Sequence, residues 1–333
     1  MNSIRVAGLF FALCWFGMTA TIHAADNESL DGVSNAVLVT GASSGIGRRI
    51  AENLAANGYF VFAGARKPKD IEALSGITNI QGIRIDVTVQ SDIDAAVNTV
   101  RKSGRGLYGL VNNAGVLITG PSTEVDVEQV KWLFDVNVFG VYRVTQAFAP
   151  LIIESKGRIA MIGSIAGNIG IEFLGPYSMT KHAIEGYTDA LASEMERFGV
   201  FVSVVAPGDY ASNIWKSDIA RARAKEIVNE DSPYADDYHR WIDFVASMKL
   251  KEPEEVAEAV DDALSADQPK RRYLVVPNEQ EMAWVTGSAA LRLAELNDGH
   301  PFSYSEEELS NIIRSKMADV SGASHVHAKE QLP

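Results

Sequence analysis

LVTGASSGIGRRI, residues 38–50, closes a short apolar run that begins at Ala36 and carries it through three glycines into a helix-forming stretch. Gly41, Gly45 and Gly47 let the backbone turn tightly and come close to a ligand. The free N–H groups and the dipole of the following helix offer a pyrophosphate a positive end. The spacing is T-G-x-x-x-G-x-G, at the head of an alternating pattern, and it predicts a dinucleotide site on a parallel sheet. A glycine-rich loop with no ligand is the bland alternative, and the strand-turn-helix context weighs against it.

From Ala36 onward, short apolar or β-branched runs alternate with longer amphipathic stretches, the pattern of a doubly wound α/β domain with a parallel sheet. Strands are expected at 36–40, 59–65, 82–86, 109–113, 158–164, 200–206 and 272–277. Helices are expected near 46–57, 90–103, 126–153, 176–198 and 253–266, the last opening on PEEV. The alternation breaks at 208–250, a mixed-charge, aromatic stretch expected to form a helical lid over a ligand. Beyond Pro277 a short C-terminal extension, 278–333, holds room for a further helix and ends in a tail expected to be disordered.

The 333 residues are 47% hydrophobic and carry a formal charge of -13, so a sizeable core is available and nucleic acid is disfavoured as a partner. The one dense basic cluster, Lys270–Arg271–Arg272, is too short to reverse that. Residues 1–25 form a separate segment: a positive start at Arg5, the apolar run VAGLFFALCWFGM, and small residues before Ala24 and Ala25. Three readings stand. The segment is a cleaved export signal, or an uncleaved anchor that associates the chain with a membrane, or it is bypassed by a start at Met18, which leaves a cytoplasmic enzyme. Cys14 is the single cysteine and lies in this segment, so a disulfide or a cysteine metal site in the folded body is excluded.

The second predicted strand ends in GARK. An acid at this point binds the ribose hydroxyls of NAD, whereas Ala65 followed by Arg66 leaves room and positive charge for a 2′-phosphate, so NADP is favoured over NAD. Arg48 is either a second contact or solvated surface charge.

Four later stretches join the glycine turn: NNAG at 112–115, VNVFG around Asn137, GSIAG around Ser164, and the pair Tyr177-x-x-x-Lys181. Together, in this order and from about Asn35 to Pro277, they resemble the short-chain dehydrogenase/reductase family. FLGPYSMTKHAIEG followed by VVAPG and IW is most similar to the branch of retinol and 17-beta-hydroxysteroid dehydrogenases. The resemblance implies cofactor contacts from Thr40, Gly41, Ser43, Ser44, Gly45, Ile46 and Gly47, and from Asp86 and Val87 at the adenine. It adds Asn113, Ala114 and Gly115 on the adenosine side, and Pro207, Gly208 and Ser212 at the nicotinamide carboxamide. Asn137 matches the asparagine that kinks its helix and holds a relay water, and a homodimer or tetramer is implied by the family's helix pairing.

A free tyrosine ionises near pH ~10, too high to exchange protons readily at neutrality. Positions i and i+4 share a helix face, so the Lys181 ammonium is expected near the Tyr177 phenol, stabilising its anion. Tyr177 is then the general base for alcohol oxidation and the acid for carbonyl reduction, with Ser164 holding the substrate oxygen and Lys181 also binding the nicotinamide ribose. For an isolated pair the bland reading, a surface contact, would win. Ser164 upstream and the dinucleotide turn decide otherwise.

The pocket is expected between Ile169, Ile171, Phe173 and Leu174, the VLITG stretch, and Ile214 and Trp215, an apolar lining suited to a hydrophobic alcohol or ketone. Ordinary lid packing explains those residues equally. Two rivals remain: a nucleotide-binding regulator, which needs no Ser/Tyr/Lys set, and an extended-branch epimerase, for which 277–333 is too short.

Overall fold

Alternate residues of the first strand face different layers. Leu38 joins a core cluster with Phe148 and Ile184, while Val37 and Val39 join another with Ile50 and Val260, and all three strand residues are fully buried. A strand covered on both faces has no polar side, and that is why this run is continuous in the sequence. The computed structural model describes residues 35–225 and 231–321, without the side chains of 222–225 and 321. The expected signal or anchor segment and the final tail lie outside those residues.

The first half of the chain runs β1 (Ala36–Val39), α1 (Gly45–Ala56), β2 (Phe60–Ala65), α2 (Pro68–Ser75), β3 (Ile80–Arg84), α3 (Gln90–Lys102) and β4 (Gly109–Asn112). Next come α4 (Val127–Phe134), a π-helical turn (Asp135–Gly140), α5 (Val141–Glu154), β5 (Arg158–Ile162), α6 (Gly175–Met195) and β6 (Phe201–Pro207). The chain continues with α7 (Asn213–Lys225), α8 (Ala235–Ser247), α9 (Glu254–Ser265), β7 (Arg272–Val275), α10 (Glu279–Asn297) and α11 (Glu306–Ser321).

All seven strands pair in parallel, in the order β3-β2-β1-β4-β5-β6-β7. The chain builds outward from β1 to β3, then returns to place β4 on the other side of β1. That reversal opens a crevice at the carboxyl ends of β1 and β4, where ligands of such sheets bind. One layer, with α3, α5 and α6, covers one face through residues such as Ile93, Val144 and Leu191. The other, with α1, α2 and α9, covers the opposite face through Leu54, Leu74 and Leu264.

All seven expected strands and all five expected helices form within a few residues of their expected bounds. One helix expected as continuous, 126–153, is broken by the π-helical turn that carries Asn137. The lid contains α7 and α8, held to the body by a buried polar set. Thr119 donates its hydroxyl to Asp218 Oδ2 (2.6 Å) and takes one from Tyr238 (2.9 Å).

Candidate active site

Each glycine of the turn after β1 has its own reason. Gly41 and Gly45 have φ of 66° and 57°, a left-handed conformation that side chains disfavour. Gly47 is helical, but a Cβ there would lie 2.2 Å from Asn113 Nδ2 and 2.5 Å from the Gly41 carbonyl oxygen. Asn113 bolts the turn to β4: its amide nitrogen donates to the carbonyls of Thr40 (2.9 Å) and Gly41 (3.1 Å). Ser44, the N-cap of α1, makes no side-chain cap bond, and the first turn of α1 has no acidic residue. Its amides are left facing the crevice, an anion site by construction.

The other wall comes from β5 and α6. Ser164 follows β5; its hydroxyl accepts from the Ala166 amide (3.1 Å) and stands on the same cavity wall as the Tyr177 phenol. Pro176 at the start of α6 suits the first helical turn, and Tyr177 and Lys181 stand one turn apart behind it. The Lys181 ammonium lies 5.6 Å from the Tyr177 ring centroid and donates to the Ile162 carbonyl (2.8 Å). Burial pushes this lysine down to about 8, with the Glu185 carboxylate opposing the shift.

Burial also pushes the Tyr177 phenol up to about 12; the Ser164 hydroxyl lowers it and the nearby Asp209 raises it. Lys181 by itself therefore does not make the phenol acidic; the expected second cation, the oxidised nicotinamide, would add to it when bound. Desolvation of the phenolate outweighs its neighbours, and the ammonium is directed at a backbone carbonyl.

A single cavity of about 630 Å³ runs from the glycine turn to Tyr177 and under the lid. Its lining brings together Ser43, Ser44, Gly45, Ile46 and Gly47 with Arg66, Asp86 and Val87, then Asn113, Ala114 and Gly115. Ser164, Tyr177, Lys181, Pro207, Gly208 and Ser212 complete the far side. Residues 35–222 match the family described as short chain dehydrogenase. The chain belongs to the short-chain dehydrogenase family.

It is 31% identical to the mitochondrial D-beta-hydroxybutyrate dehydrogenase of Mus musculus over 82% of this chain and 85% of that one. It is 29% identical to retinol dehydrogenase 16 of Homo sapiens, over 80% and 86%. Among solved structures it resembles an actinorhodin polyketide ketoreductase with NADPH, at 29% identity and a TM-score of 0.61, covering 74% of this chain and 96% of that one. It is therefore an oxidoreductase of alcohol and carbonyl groups on a fold that takes a nicotinamide nucleotide.

Two expected site residues of this short-chain dehydrogenase stand behind the lining. Thr40 is buried, and its hydroxyl is used within the fold: it donates to the Val111 carbonyl (3.3 Å) and accepts from the Asn113 and Ala114 amides (3.0 Å each). Asn137, also buried, clamps Val116 with its amide, accepting from the Val116 N–H (2.8 Å) and donating to its carbonyl (2.9 Å). Arg48 turns to Glu52 on its own helix, away from the cavity.

At the adenine end, burial raises the Asp86 carboxyl. Two hydrogen bonds from Thr88, with the charges of Arg66 and Arg84, more than offset this and leave it below the usual carboxylate range. Arg66 itself is largely exposed, 3.8 Å from Asp86.

The expected apolar lining divides in two. Ile171, Leu174, Ile214 and Trp215 face the cavity. Phe173 packs into the lid with Tyr238 and Ile242, and Ile169 packs with Ile165 and Val285.

Sequence reasoning missed the contribution of α10 altogether. Glu281 accepts from the Asp209 amide (3.1 Å), Val285 is buried against Ile165 and Ile169, and Trp284 lines the cavity. It also missed Asp209, whose carboxyl lines the cavity and is pushed up to about 6 by burial, with the Glu281 charge adding. The sole sequence signal for α10 was Asn278, three residues before an acid, a helix start that its cap bond to the Glu281 amide (2.9 Å) fulfils.

Proposed function

We propose that this enzyme uses NADP(H) to interconvert a hydrophobic alcohol and its carbonyl, with Tyr177 as the group that gives and takes the proton. The observation that carries this reading is the meeting of Ser164, Tyr177 and Lys181 on the wall of one cavity whose other end is the glycine turn. The residues present fit the cofactor. Uncapped amides of α1 suit the pyrophosphate, Asp86 and Val87 flank an adenine, and the space a Cβ at Gly47 would fill lets the backbone approach. Arg66 at the end of β2, with Ala65 where NAD-specific sites carry an acid, supports the phosphorylated nucleotide. Solved neighbours hold either nucleotide, NADPH in the ketoreductase and NAD in another short-chain dehydrogenase/reductase, so the choice rests on Arg66 and Ala65.

Bound there, the nicotinamide supplies or accepts the hydride. The chain's own residues orient the partners and manage the proton. Ser164 holds the substrate oxygen against Tyr177, so that charge gathering on that oxygen meets prepared donors. A phenol kept protonated by its dry surroundings can give its proton to a carbonyl oxygen as that oxygen gathers charge. An ammonium has three N–H donors and Lys181 uses one on Ile162, leaving two for the ribose hydroxyls. Asn137 holds the Val116 turn beneath the site with both ends of its side-chain amide. Ile171, Leu174, Ile214 and Trp215 give the substrate an apolar surround, in keeping with the retinol dehydrogenase relative.

The test is NADPH and NADH binding by the purified full chain, then turnover of lipophilic ketones by the parent and by Tyr177→Phe. Loss of about 10²–10⁴-fold in turnover with NADPH affinity kept is expected. A Phe variant as active as the parent overturns the role. Cofactor binding without turnover of any carbonyl or alcohol would favour the regulator reading. The chain also forms a homodimer in this reading, through Phe139, Tyr142 and Met179, which stand 53%, 51% and 57% exposed on and beside α5 and α6. A monomer by sedimentation at micromolar concentration refutes that pairing.

A further inference from the structure

Helix α7 lines one side of the cavity through Asn213, Ile214, Trp215, Ser217 and Arg221. Just before it, Ser212 sits over the glycine turn, so close that a Cβ on Gly45 would lie 3.0 Å from the Ser212 Cβ. Near its other end, the Arg221 guanidinium lies 5.1 Å from the ring centroid of Trp132 on α4, and both residues line the cavity. From Asn213 to Arg221 the helical rise amounts to about 12 Å. Between these points the cavity is walled by Ile214, Trp215, Trp241 and Phe244.

Arg221 is under-used by the fold. Its side chain is 19% exposed, and its ion pair is a loose one with Asp218 Oδ1, at 3.4 Å. The other Asp218 oxygen is taken by Thr119, and Arg221 Nη1 is buried with no hydrogen-bond partner among the described residues. A guanidinium offers five N–H donors in a planar fork, and a buried donor left unmatched is costly. Burial raises the Asp218 carboxyl, with the Thr119 hydrogen bond and the Arg221 charge opposing the shift. At the reacting end the polarity is opposite, because the Asp209 carboxyl lines the cavity near Tyr177 and no cation is bonded to it among the described residues. A carboxylate beside the reacting carbon would be repelled there. One at the far end would meet Arg221.

We propose that Arg221, set against Trp132, binds the carboxylate of a long-chain hydroxy or oxo acid whose reacting carbon lies at Tyr177 and whose apolar chain lies along α7. This rests on the alcohol–carbonyl reading above and narrows its substrate class. A fork-shaped cation on an aromatic face matches a planar carboxylate with two parallel hydrogen bonds. The apolar walls of Ile214, Trp215, Trp241 and Phe244 favour a chain of many methylenes over a short hydroxy acid, which has no apolar surface to bury there.

The test measures binding without turnover, in the full-length Tyr177→Phe protein loaded with NADP⁺, following quenching of tryptophan fluorescence. The probes are 12-hydroxydodecanoate and its methyl ester, with 3-hydroxybutyrate and its methyl ester as the short pair. The long acid is expected to bind about 10- to 100-fold more tightly than its ester, and the short pair to show no preference. Adding Arg221→Met should bring the long-pair ratio to within about twofold, and Arg221→Lys should recover part of it. Asp218→Asn removes the ion pair but leaves Arg221, so it should keep the preference; that separates anion binding from a lid that has merely loosened.

Equal binding of long acid and ester, or a preference that survives Arg221→Met, overturns the proposal. Selective binding of the acid by a protein whose Tyr177 parent turns over neither probe would refute the oxidoreductase assignment and leave the carboxylate site standing.

Discussion

Replacing Gly47 with alanine tests whether the glycine turn is a cradle or an ordinary loop. Of the three glycines this one isolates close approach, because Gly41 and Gly45 have positive φ and would be strained by any side chain, whereas Gly47 is helical. The new Cβ would stand 2.2 Å from Asn113 Nδ2 and 2.5 Å from the Gly41 carbonyl oxygen, where contacts of about 3.4 Å are needed. Asn113 must withdraw, giving up its bonds to the Thr40 and Gly41 carbonyls at about 1 kcal/mol each.

Overpacking adds about 1–3 kcal/mol, and alanine's better helix propensity returns up to about 1 kcal/mol. The net loss is about 2–5 kcal/mol, which at an unfolding entropy of about 0.7 kcal/mol/K for a chain of this size lowers the melting temperature by roughly 3–7 °C. The turn that cups the pyrophosphate moves with Asn113, so NADPH affinity falls too. The assay is thermal denaturation with and without NADPH. A variant with the parent's melting temperature and the parent's ligand-induced shift would refute the cradle, whatever its turnover.

Arg66→Ala should cut NADPH affinity by about tenfold and leave NADH binding nearly unchanged, since an exposed arginine contributes chiefly to a charged 2′-phosphate; equal losses for both nucleotides contradict that role. Lys181 gives a pH signature. Its folded value of about 8 lies below the unfolded 10.5, so its contribution to stability is present above pH 10.5 and lost as pH falls toward 8. Tyr177 runs the other way, its contribution being present below pH 10 and lost as pH rises through about 12. Urea titrations from pH 8 to 10.5 should show a rise in stability that Lys181→Met flattens. An unchanged slope would place the lysine in water.

The strands could be read because both faces of the sheet are covered, so each is an unbroken apolar run such as AVLV, and the glycine turn announced where the first one ended. What escaped the sequence acts across long separations. Thr119 meets Asp218 and Tyr238, 99 and 119 positions away, and no local pattern marks a threonine that will be fully buried. Helix α10 escaped because its dock is a glutamate on a backbone amide plus one valine, too sparse for a periodic signal. The dryness of the Tyr177–Lys181 pair was hidden for a related reason: helix spacing places a cation nearby but does not say how far both will be desolvated. The internal use of the Thr40 hydroxyl was hidden too, because the two amides that bind it come from the turn after β4, over seventy positions away.

The docking of α10 on the Pro207–Asp209 turn sets an order of events at the ribosome. Sheet strands, glycine turn, Ser164 and the Tyr177 helix all emerge before the segment that walls off the pocket's last side with Trp284. A nascent chain lacking that segment presents its redox chamber open on the side that Trp284 lines, and the chamber is completed only once α10 has docked.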